Sequence, residues 1–141
     1  MAGGDEFDFW LGTWTASWGD AGEHGTNLVR RMLNDFVVEE RFDGRPGADF
    51  QGMSVSVYDT HRSIWLQTWV DDAGSYFALE GARRGDEMVL LCDRHNDASR
   101  AAVFRMRFHD IEADSFTWSW DRSDDSGATF GLKWRIVYRR A

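Results

Sequence analysis

The sequence predicts an all-β protein, a single antiparallel up-and-down barrel of about ten strands with a short helical turn at its N-terminal end. Three observations lead there. Strand-like runs recur along all 141 residues, with a turn signal roughly every 8–12 residues. No gap between runs has room for a crossover helix, so successive strands pair antiparallel as a meander. A meander of this length leaves exposed edges, which closing the sheet removes.

Taken in order, Asp5–Trp10 is the only stretch suited to a helical turn, and it is placed to plug one end. The first strand, Trp10–Trp18, stops at Gly19-Asp20-Ala21-Gly22. His24–Leu33 follows, then Asn34-Asp35 and the run Phe36–Phe42. The loop Asp43–Asp49 holds the only proline, Pro46, and leads to Phe50–Tyr58. Asp59-Thr60-His61-Arg62 turns the chain into Ile64–Val70, and Asp71-Asp72-Ala73-Gly74 into Ser75–Ala82. Arg84-Gly85-Asp86 precedes Met88–Asp93. After the turn His95–Ser99 come Ala101–Phe108, Ser115–Trp120 and a last strand, Phe130–Arg139. The Asp, Asn and Gly at these joints tolerate the backbone angles that tight turns need. The last strand is expected to close the barrel against the segment around Trp14.

Alternation tells inside from outside. Phe130, Leu132, Trp134, Ile136 and Tyr138 share a face opposite Lys133, Arg135 and Arg139. Ala102, Phe104, Met106 and Phe108 oppose Arg105 and Arg107, while Phe116, Trp118 and Trp120 oppose Thr117 and Ser119. A one-residue slip would turn each set into water, so these faces point inward. In Phe36–Phe42, Ile64–Val70 and Ser75–Ala82 both faces carry apolar residues, and alternation leaves the inner face of each open. The N-terminal acids Asp5, Glu6 and Asp8 stand against Lys133, Arg135, Arg139 and Arg140 near the C-terminus, a charge contrast expected to favour pairing of the two ends.

Bulk properties exclude several classes. Length and 43% hydrophobic content suit one domain, residues 1–141, with a sizeable core. The net charge of −8 disfavours nucleic acid and anionic membrane surfaces as partners. No apolar run approaches the roughly 20 residues of a membrane span, and Met1–Phe9 shows no secretory signal. One cysteine, Cys92, allows no internal disulfide and suits a reducing cytoplasm. The 8 Trp, 10 Phe and 3 Tyr are unusually many, and such flat rings serve strands and pocket walls alike.

Two groups of residues are candidates for a site. The first is an aromatic wall: Trp69, Tyr76, Phe104, Trp118, Trp120, Trp134 and Tyr138, with Trp65 beside them. It would stack an apolar or aromatic ligand, and the same rings would otherwise serve as core. The second is polar: Glu40 alternates with Phe36, Val38 and Phe42; Glu80 shares a face with Tyr76 and Ala78; Gln67 lies between Trp65 and Trp69. A carboxyl facing a cavity without a cation would have a raised pKa and could serve as catalytic acid or base. The alternative is an outward face in water, or a pair with an arginine such as Arg30, Arg41 or Arg105.

Other features carry less. His24, His61, His95 and His109 fall at strand ends or turns, without metal-ligand spacing, and His109 after the inward Phe108 is the one to test. The acidic turns Asp71-Asp72 and Asp121–Asp125 lack the calcium-loop pattern. Cys92 has no identifiable base beside it. Phosphate-binding glycine loops and nucleophile elbows are absent, so no metal or cofactor is expected.

Gly12-Thr13-Trp14 on the first strand, with arginines on the last, resembles the calycin and lipocalin arrangement. There the tryptophan of a G-x-W motif packs at the closed end of the barrel under a C-terminal arginine, here Arg139 or Arg140. FDFWLGTWTASW from Phe7, GMSVSVYDTHRSIWLQTWVDDAGSYFALEG from Gly52 and FTWSWDRSDDSGATFGLKWRIVYRR from Phe116 resemble a bacterial domain-of-unknown-function family of lipocalin-like barrel type. Tyr58-Asp59, Trp69-Val70-Asp71 and Glu80-Gly81 carry that likeness. It implies a roughly ten-stranded barrel with a central cavity, and no settled activity. The chain departs from lipocalins proper in lacking a disulfide, a secretory signal and a long C-terminal helix.

Three functions remain open on these grounds. The barrel binds a small hydrophobic or aromatic ligand, or it is a cofactor-independent isomerase, cyclase or lyase with Glu40 or Glu80 moving a proton. The third is a barrel packed solid with its own rings, serving structure or protein binding.

Overall fold

The computed structural model describes residues 3–93 and 102–141; His95, the turn at 95–99 and Ala101 lie outside the described residues. Among the described residues the strands are β1 (Gly12–Trp18), β2 (Glu23–Met32), β3 (Val37–Asp43), β4 (Gln51–Asp59), β5 (Ile64–Asp71), β6 (Tyr76–Arg84), β7 (Glu87–Asp93), β8 (Val103–His109), β9 (Ser115–Ser123) and β10 (Gly131–Arg140). Each pairs antiparallel with its neighbour in sequence, and β1 pairs with β10 to close a ten-stranded barrel. The closing register sets Trp14 opposite Arg140 and Ala16 opposite Tyr138. No described helix is long and apolar enough to cross a membrane. The architecture is a closed antiparallel up-and-down barrel, consistent with a calycin-like fold.

The expected N-terminal turn is a 3-10 turn, Asp8–Trp10. It seals one end of the barrel: Phe7 and Trp10 are fully buried against Trp65 and Phe108, with ring centroids about 5 Å apart. Trp14, also fully buried, donates its indole N–H to the Trp10 carbonyl at 2.8 Å. Of the two candidate arginines, it is Arg140 that covers Trp14, its guanidinium carbon 4.3 Å from the ring centroid. The same guanidinium donates to the carbonyls of Leu11, Phe9 and Ala113. Gly12, at φ +130°, makes this possible, because the Arg140 guanidinium passes where a Cβ would stand.

Two expectations are corrected. Phe130 and Leu132 do not share the inner face with Trp134, Ile136 and Tyr138. A β-bulge between Leu132 and Trp134 inserts one residue against β9 and turns Leu132 outward, where it is half exposed. Phe130 packs under the Arg105 guanidinium instead, at 4.0 Å. Nor do the N-terminal acids pair with the last strand: Asp8 bonds Arg31 of β2, because the plug folds across that side of the closed end.

Candidate functional site

The other half of the barrel is not filled. A cavity of about 130 Å³ lies between two unlike walls. One wall is aromatic. On β9, Trp118 and Trp120 are two residues apart and therefore point the same way, their planes 2° from parallel. Phe104 stacks on Trp120 at 5.2 Å, and Trp134 stands edge-on to Trp118 at 5.9 Å. Phe77 and Leu79 of β6, Met106 of β8 and Ile136 of β10 complete this side.

A buried polar band runs across β2 to β5, and its member Glu40 lines the cavity. Register places Ser54 directly opposite Glu40, and Gln67 directly opposite Ser56. Glu40 is buried and accepts hydrogen bonds from Asn27 Nδ2 and Ser54 Oγ, both at 2.8 Å. Gln67 donates to Ser56 Oγ at 2.9 Å. Burial raises the Glu40 pKa against the pull of its two hydrogen bonds. Tyr138, which lines the same cavity, is pushed well up by its own burial and then by the Glu40 charge, opposed by a hydrogen bond with Asn27. Among the described residues no arginine, lysine or histidine lines the cavity.

The mouth is framed by Phe42, Phe50 and Trp69, all lining the cavity. Trp69 is aimed by two devices: its indole N–H donates to Asp71 Oδ2 at 2.9 Å, and its ring lies over Gly52, where any Cβ would collide with it.

The structure sorts the candidate residues. Glu40, Trp69, Trp118, Trp120, Trp134 and Tyr138 line one cavity. Phe104 backs Trp120, and Gln67 is buried on the inner face near the closed end of the polar band. Trp65 belongs to the plugged end. Glu80 and Tyr76 share a face as expected, but that face is the outer one. Phe77, Leu79 and Gly81 point inward on β6, leaving Tyr76 44% exposed and Glu80 paired with Arg62 on the surface. For β5 the inner face is that of Trp65, Gln67 and Trp69.

Asn27, Ser54, Ser56, Phe42, Phe50, Asp71 and Phe77 escaped the sequence reading. A signal was present in Ser54-Val55-Ser56-Val57, an alternation whose polar members face inward. In a barrel with a polar cavity the usual reading of alternation inverts, so serines mark the interior. Arg30 and Arg41, considered as partners for an inward carboxyl, instead flank Glu39 on the outside. Burial raises its pKa, but the two arginines outweigh this and hold it low.

His109 bonds Ser119 Oγ at 2.8 Å and Asp110 at 3.0 Å, the distances of a nucleophile relay. Ser119 is fully buried in mid-strand, paired with both Arg107 and Arg135, so its amide is committed to the sheet and cannot serve a developing oxyanion. The grouping is structural. Cys92 is a buried core thiol.

Comparison with protein-family models and with curated proteins finds no match for this chain.

Proposed function

We propose that the protein binds a small, mostly apolar or aromatic molecule inside the barrel. The observation that carries this is the cavity itself, about 130 Å³ bounded by four tryptophans and one buried carboxyl. Larger side chains at these positions would have filled that space with contacts, as they do at the plugged end. The volume is comparable to the roughly 150 Å³ cavity that takes up benzene in an engineered protein core, so a single-ring ligand is the natural size. The G-x-W motif under Arg140 and the ten-stranded closure also support placing the chain with the bacterial lipocalin-like family it resembles.

Intrinsic tryptophan emission tests this. Titration with a panel of single-ring compounds should quench or shift it, and Trp120→Phe should lower the amplitude. Emission unmoved across the whole panel would sink the binding reading.

A second reading, a cofactor-independent isomerase, cyclase or lyase, is favoured by one observation: Glu40 is buried without a cation and its pKa is raised. Glu80 is the weaker candidate on its exterior site beside Arg62. Glu40→Gln should then stop conversion of a bound compound while leaving it bound.

A further inference from the structure

Within that binding reading, we infer that the cavity selects a protonated organic amine on a single aromatic ring, its ammonium group on the Glu40 carboxylate and its ring among the tryptophans.

The buried carboxyl of Glu40 lines the cavity. Glu40 offers two carboxylate oxygens, and Asn27 Nδ2 and Ser54 Oγ each occupy one site on them. A carboxylate accepts about four hydrogen bonds, so room remains for an N–H donor. Two further buried acceptors, Asn27 Oδ1 and Gln67 Oε1, have no hydrogen-bond partner. Asn27 Oδ1 belongs to the amide that holds Glu40. Neither residue lines the cavity, so the acceptor a ligand meets there is Glu40, and an N–H donor satisfies it where a hydrocarbon cannot.

The charge balance points the same way. Elsewhere the covered carboxyls of this barrel are matched by arginine: Glu39 by Arg30 and Arg41, Asp121 by Arg105 and Arg107. Among the described residues Glu40 has none, and the missing cation is what the ligand would bring. The opposite wall presents the faces and edges of Trp118, Trp120 and Trp134, whose electron-rich faces attract cations and stack rings.

Asn27 of β2 and Ser54 of β4, neither of them titratable, touch Glu40; the titratable groups lining the same cavity are Tyr138 of β10 and Asp71 of β5. Burial raises the Glu40 pKa, which extends the range of the neutral acid to higher pH. Binding of an ammonium ion to that form releases the carboxyl proton to solvent, so affinity should rise with pH until Glu40 is ionised.

The test is calorimetric titration with benzylamine against benzyl alcohol, nearly the same shape without the charge. Benzylamine should bind at least tenfold more tightly at pH 7.5. Its affinity should climb between pH 5 and pH 8 while that of benzyl alcohol stays flat. Glu40→Gln should abolish the preference and Asp71→Asn should retain it. Should Glu40→Gln not fold, by circular dichroism, the pH comparison in the unaltered protein decides. If benzyl alcohol binds as tightly as benzylamine, or Asp71→Asn alone removes the preference, the amine assignment falls and the pocket stands. If neither compound binds, the amine assignment falls, and the tryptophan-emission panel decides the binding reading separately.

Discussion

The two halves of the barrel use the same side chains to opposite effect. At the closed half, Phe7, Trp10, Trp14, Trp65, Phe108 and Phe116 interlock edge to face and leave no solvent exposure above 1%. At the open half, Trp69, Trp118, Trp120 and Trp134 are only partly buried and stand around a hollow. The difference is not ring count. The closed half receives a plug from outside the sheet, the turn bearing Phe7 and Trp10, and an arginine that binds carbonyls on both sides of it. The open half has instead a buried carboxyl, Glu40, in its lining. An aromatic interior is thus core where something caps it and a site where nothing does.

Truncating one ring from each half should break this symmetry most visibly. Trp14→Ala leaves a cavity in a filled region and removes the Trp10 hydrogen bond, so it should cost about 3–5 kcal/mol. Trp120→Ala enlarges a space already open and should cost clearly less. Urea denaturation measures both, and equal losses would mean the two halves are packed alike.

The clamp comes next. Arg140 makes three backbone hydrogen bonds and covers Trp14, so Arg140→Ala should cost about 2 kcal/mol. Arg140→Lys should recover little, because an ammonium lacks the planar fork that reaches several carbonyls at once. Full recovery by lysine would show that charge alone holds the closed end.

The smallest effect separates the polar band from the surface acids by pH. Glu40 holds its proton more tightly folded than unfolded. Its contribution to stability is complete below its unfolded pKa of about 4.3 and is lost as pH rises through the folded value. Asp43, held at about 2 chiefly by its hydrogen bonds with Arg45, and Asp125, held at about 2 by Ser123 and Thr129, act in reverse. Their contribution is present above the unfolded range and lost as pH falls toward 2. Glu40→Gln should therefore flatten the neutral limb of the stability profile and leave the acid limb unchanged, raising Tm at pH 8 by about 2–4 °C. Melting curves from pH 2 to pH 9 provide the check; a uniform drop in Tm would mean the carboxylate itself supports the fold.

Much of the barrel was legible in the chain because it depends on local chemistry. Turn residues set the strand boundaries to within a few positions, period-2 alternation oriented β8 and β9, and Gly12-Thr13-Trp14 with a terminal arginine announced the closing seam. The cavity was half legible. Trp118, Trp120, Trp134 and Tyr138 lie on strands whose outer faces are polar or charged, so their direction was determined. Glu80 and Tyr76 were not so placed, because β6 is apolar on both faces and nothing in its own residues decides between them.

By itself the sequence determined how many strands there are, where they turn and that first must meet last, since each follows from backbone preference and the cost of an open edge. Tertiary structure alone decided what the interior contains. The bulge before Trp134 redirected Phe130 and Leu132, register brought Ser54 to Glu40, and closure left that carboxyl without an arginine while its neighbour Glu39 gained two. The physical reason is that a charge's environment is set by strands distant in sequence, and adjacent residues of one strand face opposite sides of the sheet.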